Sequence, residues 1–105
     1  MAWFGRGRRG RGEDASARRA TLEYLRAFTA ARAGVEAYVE PATRTTPTTV
    51  VLVALTGEWT RRRVPDAQTA REIARELAIP VYDVQLTGYP RRMREWTARQ
   101  RRGGS

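Results

Sequence analysis

Trp59, Arg61 and Arg63 alternate with Thr60, Arg62 and Val64, and this two-residue period is that of a β-strand. One face of such a strand carries an indole ring and two guanidinium groups. Arg pairs bidentately with phosphate and stacks on flat rings, so this face suits contact with phosphates and bases. The same residues also fit a plainer role, in which Trp59 packs in the core and the arginines pair with Asp83, Glu36 or Glu40 across a sheet. A second arginine group, Arg91, Arg92, Arg94, Arg99, Arg101 and Arg102, has only Glu95 to offset it within residues 89–105. A third, Arg6, Arg8, Arg9 and Arg11, lies in the first twelve residues with no acid at all.

These clusters account for the whole net charge of +9. The first twelve residues hold +4 and residues 89–105 hold +5; between them ten arginines face ten carboxylates. A neutral body with two basic ends is the electrostatic footprint of a protein that contacts a polyanion. The partner expected on this ground is nucleic acid, with RNA slightly favoured. Arg6, Arg8, Arg9, Arg11, Arg91, Arg92, Arg94, Arg99, Arg101 and Arg102 would be its phosphate contacts, and Trp59, Arg61 and Arg63 additional sheet-face contacts. Trp3 and Phe4 beside the first cluster keep a second expectation open, an adaptor for a protein or an anionic membrane surface. All twenty basic residues are Arg. With Ala and Gly also plentiful, GC-rich coding explains Arg over Lys; it does not explain the clustering.

Residue types bound the chemistry further. The chain has no Cys and no His, which removes thiolate nucleophiles, disulfides and the commonest general base and metal ligand. Lys is absent as well, so Schiff-base chemistry has no amine to use. Glu36 and Glu40 share one face of a strand, but four residues of rise separate them by about 13 Å. An inverting glycosidase pair needs roughly 6.5–9.5 Å. No enzyme and no cofactor are therefore expected. Gly5-Arg6-Gly7-Arg8-Arg9-Gly10 matches the letters of the dinucleotide fingerprint but lacks the strand that must precede it.

The elements that position these residues follow from periodicity. Residues 1–13 read as a disordered Gly/Arg-rich arm, 14–101 as one domain and 102–105 as a disordered tail. A helix capped by Asp14 or Ser16 runs to about Ala33, with Gly34 as its stop. Val35 to Glu40 alternates as a half-buried strand, Thr48 to Leu55 is a continuous β-branched run, and Glu58 to Val64 returns after the turn at Thr56-Gly57. Asp66 caps a second helix that ends before Pro80, Val81 to Leu86 is a fourth strand, and a third helix runs from Pro90 to about Arg101. The fold class expected is α/β (α+β) in the order α-β-β-β-α-β-α: two layers, a mostly antiparallel sheet and helices on one face. The longest apolar run, Val50 to Leu55, is far short of the ~20 residues of a membrane span, and cytoplasmic residence is expected.

From Leu22 to Leu77 the element order resembles that of the double-stranded-RNA-binding domain. That family opens its second helix with a basic cluster, where this chain has Asp66-Ala67-Gln68-Thr69, and no residue roles are carried over. Gly57-Glu58-Trp59-Thr60-Arg61-Arg62-Arg63-Val64 and Gly88-Tyr89-Pro90-Arg91-Arg92-Met93-Arg94 are similar to stretches of a small, uncharacterised actinobacterial protein family. That resemblance spans roughly residues 34–96. Members are sometimes labelled oxidoreductase, so it implies redox chemistry, for which the residues themselves offer no flavin or nicotinamide fingerprint in context and no Cys.

Overall fold

The computed structural model describes residues 11–103, so Arg6, Arg8 and Arg9 lie outside the described residues. Eight elements follow one another: α1 (Arg11–Ala30), β1 (Glu36–Glu40), β2 (Thr49–Val53), β3 (Trp59–Arg63), α2 (Ala67–Glu76), β4 (Val81–Asp83), α3 (Val84–Thr87) and α4 (Arg91–Gly103). This is an α+β fold in the expected order, with one extra single-turn helix, α3. The four strands form one mixed sheet in the order β3-β2-β1-β4. The β1–β2 and β2–β3 pairs are antiparallel and β1–β4 is parallel. The chain thus crosses through α2 from one edge of the sheet to the other.

Register assigns every strand residue to a face. Ala37, Val39, Val50 and Leu52 lie on one side, where Leu25 and Phe28 of α1 and Ala70, Ile73 and Ala74 of α2 complete the larger core. Tyr38, Val51 and Val53 lie on the other with Met93 of α4, and Trp59 packs at their border. The expectation of helices on one face therefore holds for α1 and α2 and fails for α4. The reason is in β2, whose Thr-Val-Val-Leu-Val run is apolar on both sides. Val51 and Val53 are fully buried, each worth roughly 1.5–3 kcal/mol of apolar cover, and α4 provides much of it.

Boundaries shift where capping chemistry decides. Helix α1 begins at Arg11 and α4 continues to Gly103, each inside a stretch expected to be disordered. At its other end α1 closes at Ala30; the Arg32 amide then bonds Thr29 rather than the residue four back, and Gly34 turns the chain at φ +64°. Asp66 caps α2 as expected, its carboxylate accepting from the Thr69 amide at 2.8 Å. That helix ends in a Schellman motif, with Ile79 N–H on the Ala74 carbonyl and Ala78 N–H on that of Arg75. Ala78, at φ +58°, occupies the left-handed position that glycine usually takes. The fourth strand stops at Asp83 rather than Leu86, because the Asp83 carboxylate accepts from the Gln85 amide and starts α3.

Among the described residues no helix is long and apolar enough to cross a membrane.

Candidate functional site

Strand β3 is an edge of the sheet, and its three consecutive arginines point alternately to the two faces. Arg62 pairs in register with Val50 and shares the face covered by α1; Arg61 and Arg63 pair with Val51 and Thr49 and share the face of α4. All three are exposed. They line an open groove of about 1160 Å³ that runs from this edge across the end of the sheet where Arg63, Thr49 and Glu40 are in register, together with Tyr24 of α1, Thr43, Thr46 and Tyr89. Enclosed small-molecule clefts run roughly 300–1,000 Å³. This groove is larger and open.

Its electrostatics are unequal. Three arginines line it against a single carboxylate, Glu40, and that carboxylate is fully engaged. Arg61 donates to both of its oxygens, at 2.7 and 2.9 Å, and the hydroxyls of Thr49 and Tyr89 donate to it as well. Burial pushes the Glu40 carboxyl up, but the hydrogen bonds from Arg61, Thr49 and Tyr89 outweigh it and hold the carboxyl below its ordinary value. Tyr89 is shifted upward, by burial and by its bond to Glu40. Arg63 forms no ion pair among the described residues, so its charge is unspent.

Two aromatic rings lie beside these cations. The Arg62 guanidinium sits 3.4 Å from the centre of the Tyr24 ring, and that of Arg61 sits 5.0 Å from the centre of the Trp59 ring. Trp59 is held on its other side: its indole N–H donates to the Thr97 hydroxyl at 3.0 Å, and the ring packs against the smaller core. The expected trio of Trp59, Arg61 and Arg63 is thus parted. Trp59 and Arg61 serve the fold, as the plainer role has it, and Arg63 stays open to solvent. Tyr24 is not among the residues that the charge pattern of the sequence singles out. Its position one turn before Phe28 was the only available sign that it looks toward the sheet.

The arginines of α4 divide in the same way. Arg92 is structural: its Nε donates to the Ala54 carbonyl at 2.9 Å and its Nη2 to Glu36 at 2.8 Å. Arg94 donates to the Tyr89 carbonyl and Arg99 to the Thr56 carbonyl. Arg91 and Arg101 are exposed and form no ion pair among the described residues; Arg102, exposed as well, is in the last turn of α4. The helix crosses the sheet from Glu36 in β1 to Trp59 in β3, along the end of the strands opposite Glu40 and Arg63. Arg11 begins α1.

Two carboxylates on the α4 face now set an acid limit. Glu36 is pushed up by burial and pulled down further by bonds from Arg92 and the Tyr38 hydroxyl, so it too lies below its ordinary value; Tyr38 is raised to about 12 by burial and by its bond to Glu36. Groups with lowered folded values add stability above their unfolded value of 4.5 and lose it as the pH falls toward the folded one. The urea midpoint is expected to be level near neutrality and to drop as the pH falls from about 5 to 3. In Glu40→Gln part of that drop should vanish; an unchanged acid profile in the variant would show that Glu40 contributes nothing to it.

Comparison with protein-family models, with curated proteins and with solved structures finds no match.

Proposed function

We propose that this protein is a non-catalytic nucleic-acid-binding accessory protein, with RNA slightly favoured over DNA. The reading is carried by the excess of cation in the β3 groove: three arginines, and one carboxylate whose oxygens are already occupied. A solvated set of arginines with no groove would call only for water and counterions. Here the charge borders an open groove, and Arg91 and Arg101 of α4 are exposed cations outside its lining. Arg6, Arg8, Arg9 and Arg11 would supply further phosphate contacts. Guanidinium groups stacked on rings favour RNA, whose unpaired bases are commonly read by stacking. The protein works in this reading as a cytoplasmic companion to a nucleic-acid process rather than as a catalyst.

Salt dependence tests it. If about six arginines meet phosphates, log K should fall against log salt with a slope near −4 to −5. Fluorescence anisotropy with labelled RNA and DNA over a potassium chloride series measures this slope, and absence of binding at low salt rules the reading out. A second reading, a protein-interaction adaptor, draws on the far edge of the sheet, where Leu86 is 86 % exposed near Tyr82 and Tyr89. Purified protein that carries no nuclease-sensitive nucleic acid, but co-purifies with one defined protein, would favour it.

A further inference from the structure

Tyr24 and Arg62 form a built stack rather than a passing contact. The guanidinium lies 3.4 Å from the ring centre. The Tyr24 hydroxyl shares a 2.7 Å hydrogen bond with Thr60, and Arg62 Nη1 donates to the Arg61 carbonyl at 3.0 Å. Arg62 forms no ion pair among the described residues. Both side chains are exposed and both line the β3 groove. A flat cation ordered in advance on a ring is a platform for another flat group, because little side-chain freedom remains to be lost on binding.

We infer that the groove takes single-stranded nucleic acid, with one base stacked at the Tyr24–Arg62 pair and the backbone running past Arg63 across the end of the sheet. The inference rests on the nucleic-acid reading above and names the form of ligand. A base inside a duplex already has both faces covered by its neighbours, so a stacking platform has nothing to offer it; an unpaired base has a free face. Arg61, tied to Glu40 by two hydrogen bonds, is spent, whereas Arg63 on the same face has its charge available to a phosphate. Thr21 lines the same groove, where its hydroxyl can meet a base edge or the ribose 2′-hydroxyl, whereas the Thr43 and Thr46 hydroxyls are bonded to each other at 2.6 Å.

The probes are a fluorescein-labelled oligouridylate of about 12 nucleotides, within the range of a short groove site, and a mixed-sequence RNA duplex of the same length. At equal salt the single strand should bind about tenfold more tightly than the duplex. Arg62→Lys keeps the charge and gives up the plane, and Tyr24→Leu removes the ring. Each should weaken the single strand about five- to tenfold, leave duplex binding unchanged and keep the salt slope of the parent. Tyr24→Phe retains the ring and should bind as the parent does. Equal binding of strand and duplex, or parental single-strand affinity in both Arg62→Lys and Tyr24→Leu, overturns the inference while the nucleic-acid reading stands. Displacement of the strand by polyglutamate at matched charge would also overturn it, in favour of an extended acidic peptide. If neither RNA form binds at low salt, the nucleic-acid reading itself fails.

Discussion

Alanine at Gly57 is expected to cost about 2–5 kcal/mol and to detach α4 from the sheet. Gly57 ends the tight turn between β2 and β3 at φ +96°, a region that side chains rarely adopt. A β-carbon there would stand 2.0 Å from the Arg92 carbonyl oxygen and 2.8 Å from the Trp96 β-carbon. Both obstacles belong to α4, and one is backbone, so relief requires the helix itself to move. Moving it uncovers Tyr38, Val51 and Val53 and breaks the indole bond from Trp59 to Thr97. Urea denaturation with near-ultraviolet circular dichroism should show both the lower midpoint and the loss of fixed tryptophan signal. Gly88→Ala is the control: nothing lies within 4 Å of the added carbon, so only the backbone cost of φ +70° with ψ 178° applies, about 1–3 kcal/mol. Equal effects at the two positions would mean that contact with α4 plays no part.

Arg91 and Arg92, adjacent in sequence, should respond in opposite ways. Arg92→Ala leaves the Ala54 carbonyl and the half-buried Glu36 carboxylate without the donor they share, and hydrogen bonds to charged groups are worth roughly 1.5–3 kcal/mol. A stability loss of about 2–3 kcal/mol is expected. Arg91→Ala removes an exposed side chain with no ion pair among the described residues, so its stability should stay within about 0.5 kcal/mol. Binding should invert this order, with Arg91→Ala reducing the salt slope by about one charge. Thermal melts and anisotropy on the same two variants measure both effects. A destabilised Arg91→Ala, or an unaffected Arg92→Ala, would contradict the division of labour described for α4.

That division marks the boundary of what the sequence discloses. Period and capping residues were enough for the element order, because Asp66, Gly34 and Pro80 act through local chemistry that needs no neighbour. Asp83 acts locally too, yet the apolar residues after it read as strand, and only its bond to the Gln85 amide shows a helix start. The side of the sheet on which α4 docks was harder. Met93, Trp96, Thr97 and Gln100 fall at helical spacing and are legible as a narrow seam, but what it meets depends on both faces of β2 being apolar and on the small volume at Gly57. Charge was the least legible property. Counting pairs carboxylates with arginines in number, while the structure pairs them in space: Arg18 with Glu76, Arg32 with Glu58, Arg61 with Glu40 and Arg92 with Glu36. The last of these joins the body to a helix counted among the basic ends. Tyr24 entered the candidate site for the same reason, since its partner lies 38 positions away in sequence.

The placement of α4 has a consequence for how the chain is made. Residues of β2 leave the ribosome well before Arg91–Gly103 can follow, so a three-stranded antiparallel unit with α1 against it can form while one side still presents Val51 and Val53 to water. During that interval the growing chain carries a sticky β-branched surface next to an open strand edge, the combination that promotes self-association of nascent polypeptides. The arginines of β3 lie along that edge, and their mutual repulsion between neighbouring chains would discourage edge-to-edge pairing until the helix arrives. The same three charges that line the groove in the finished protein would thus guard it in the unfinished one.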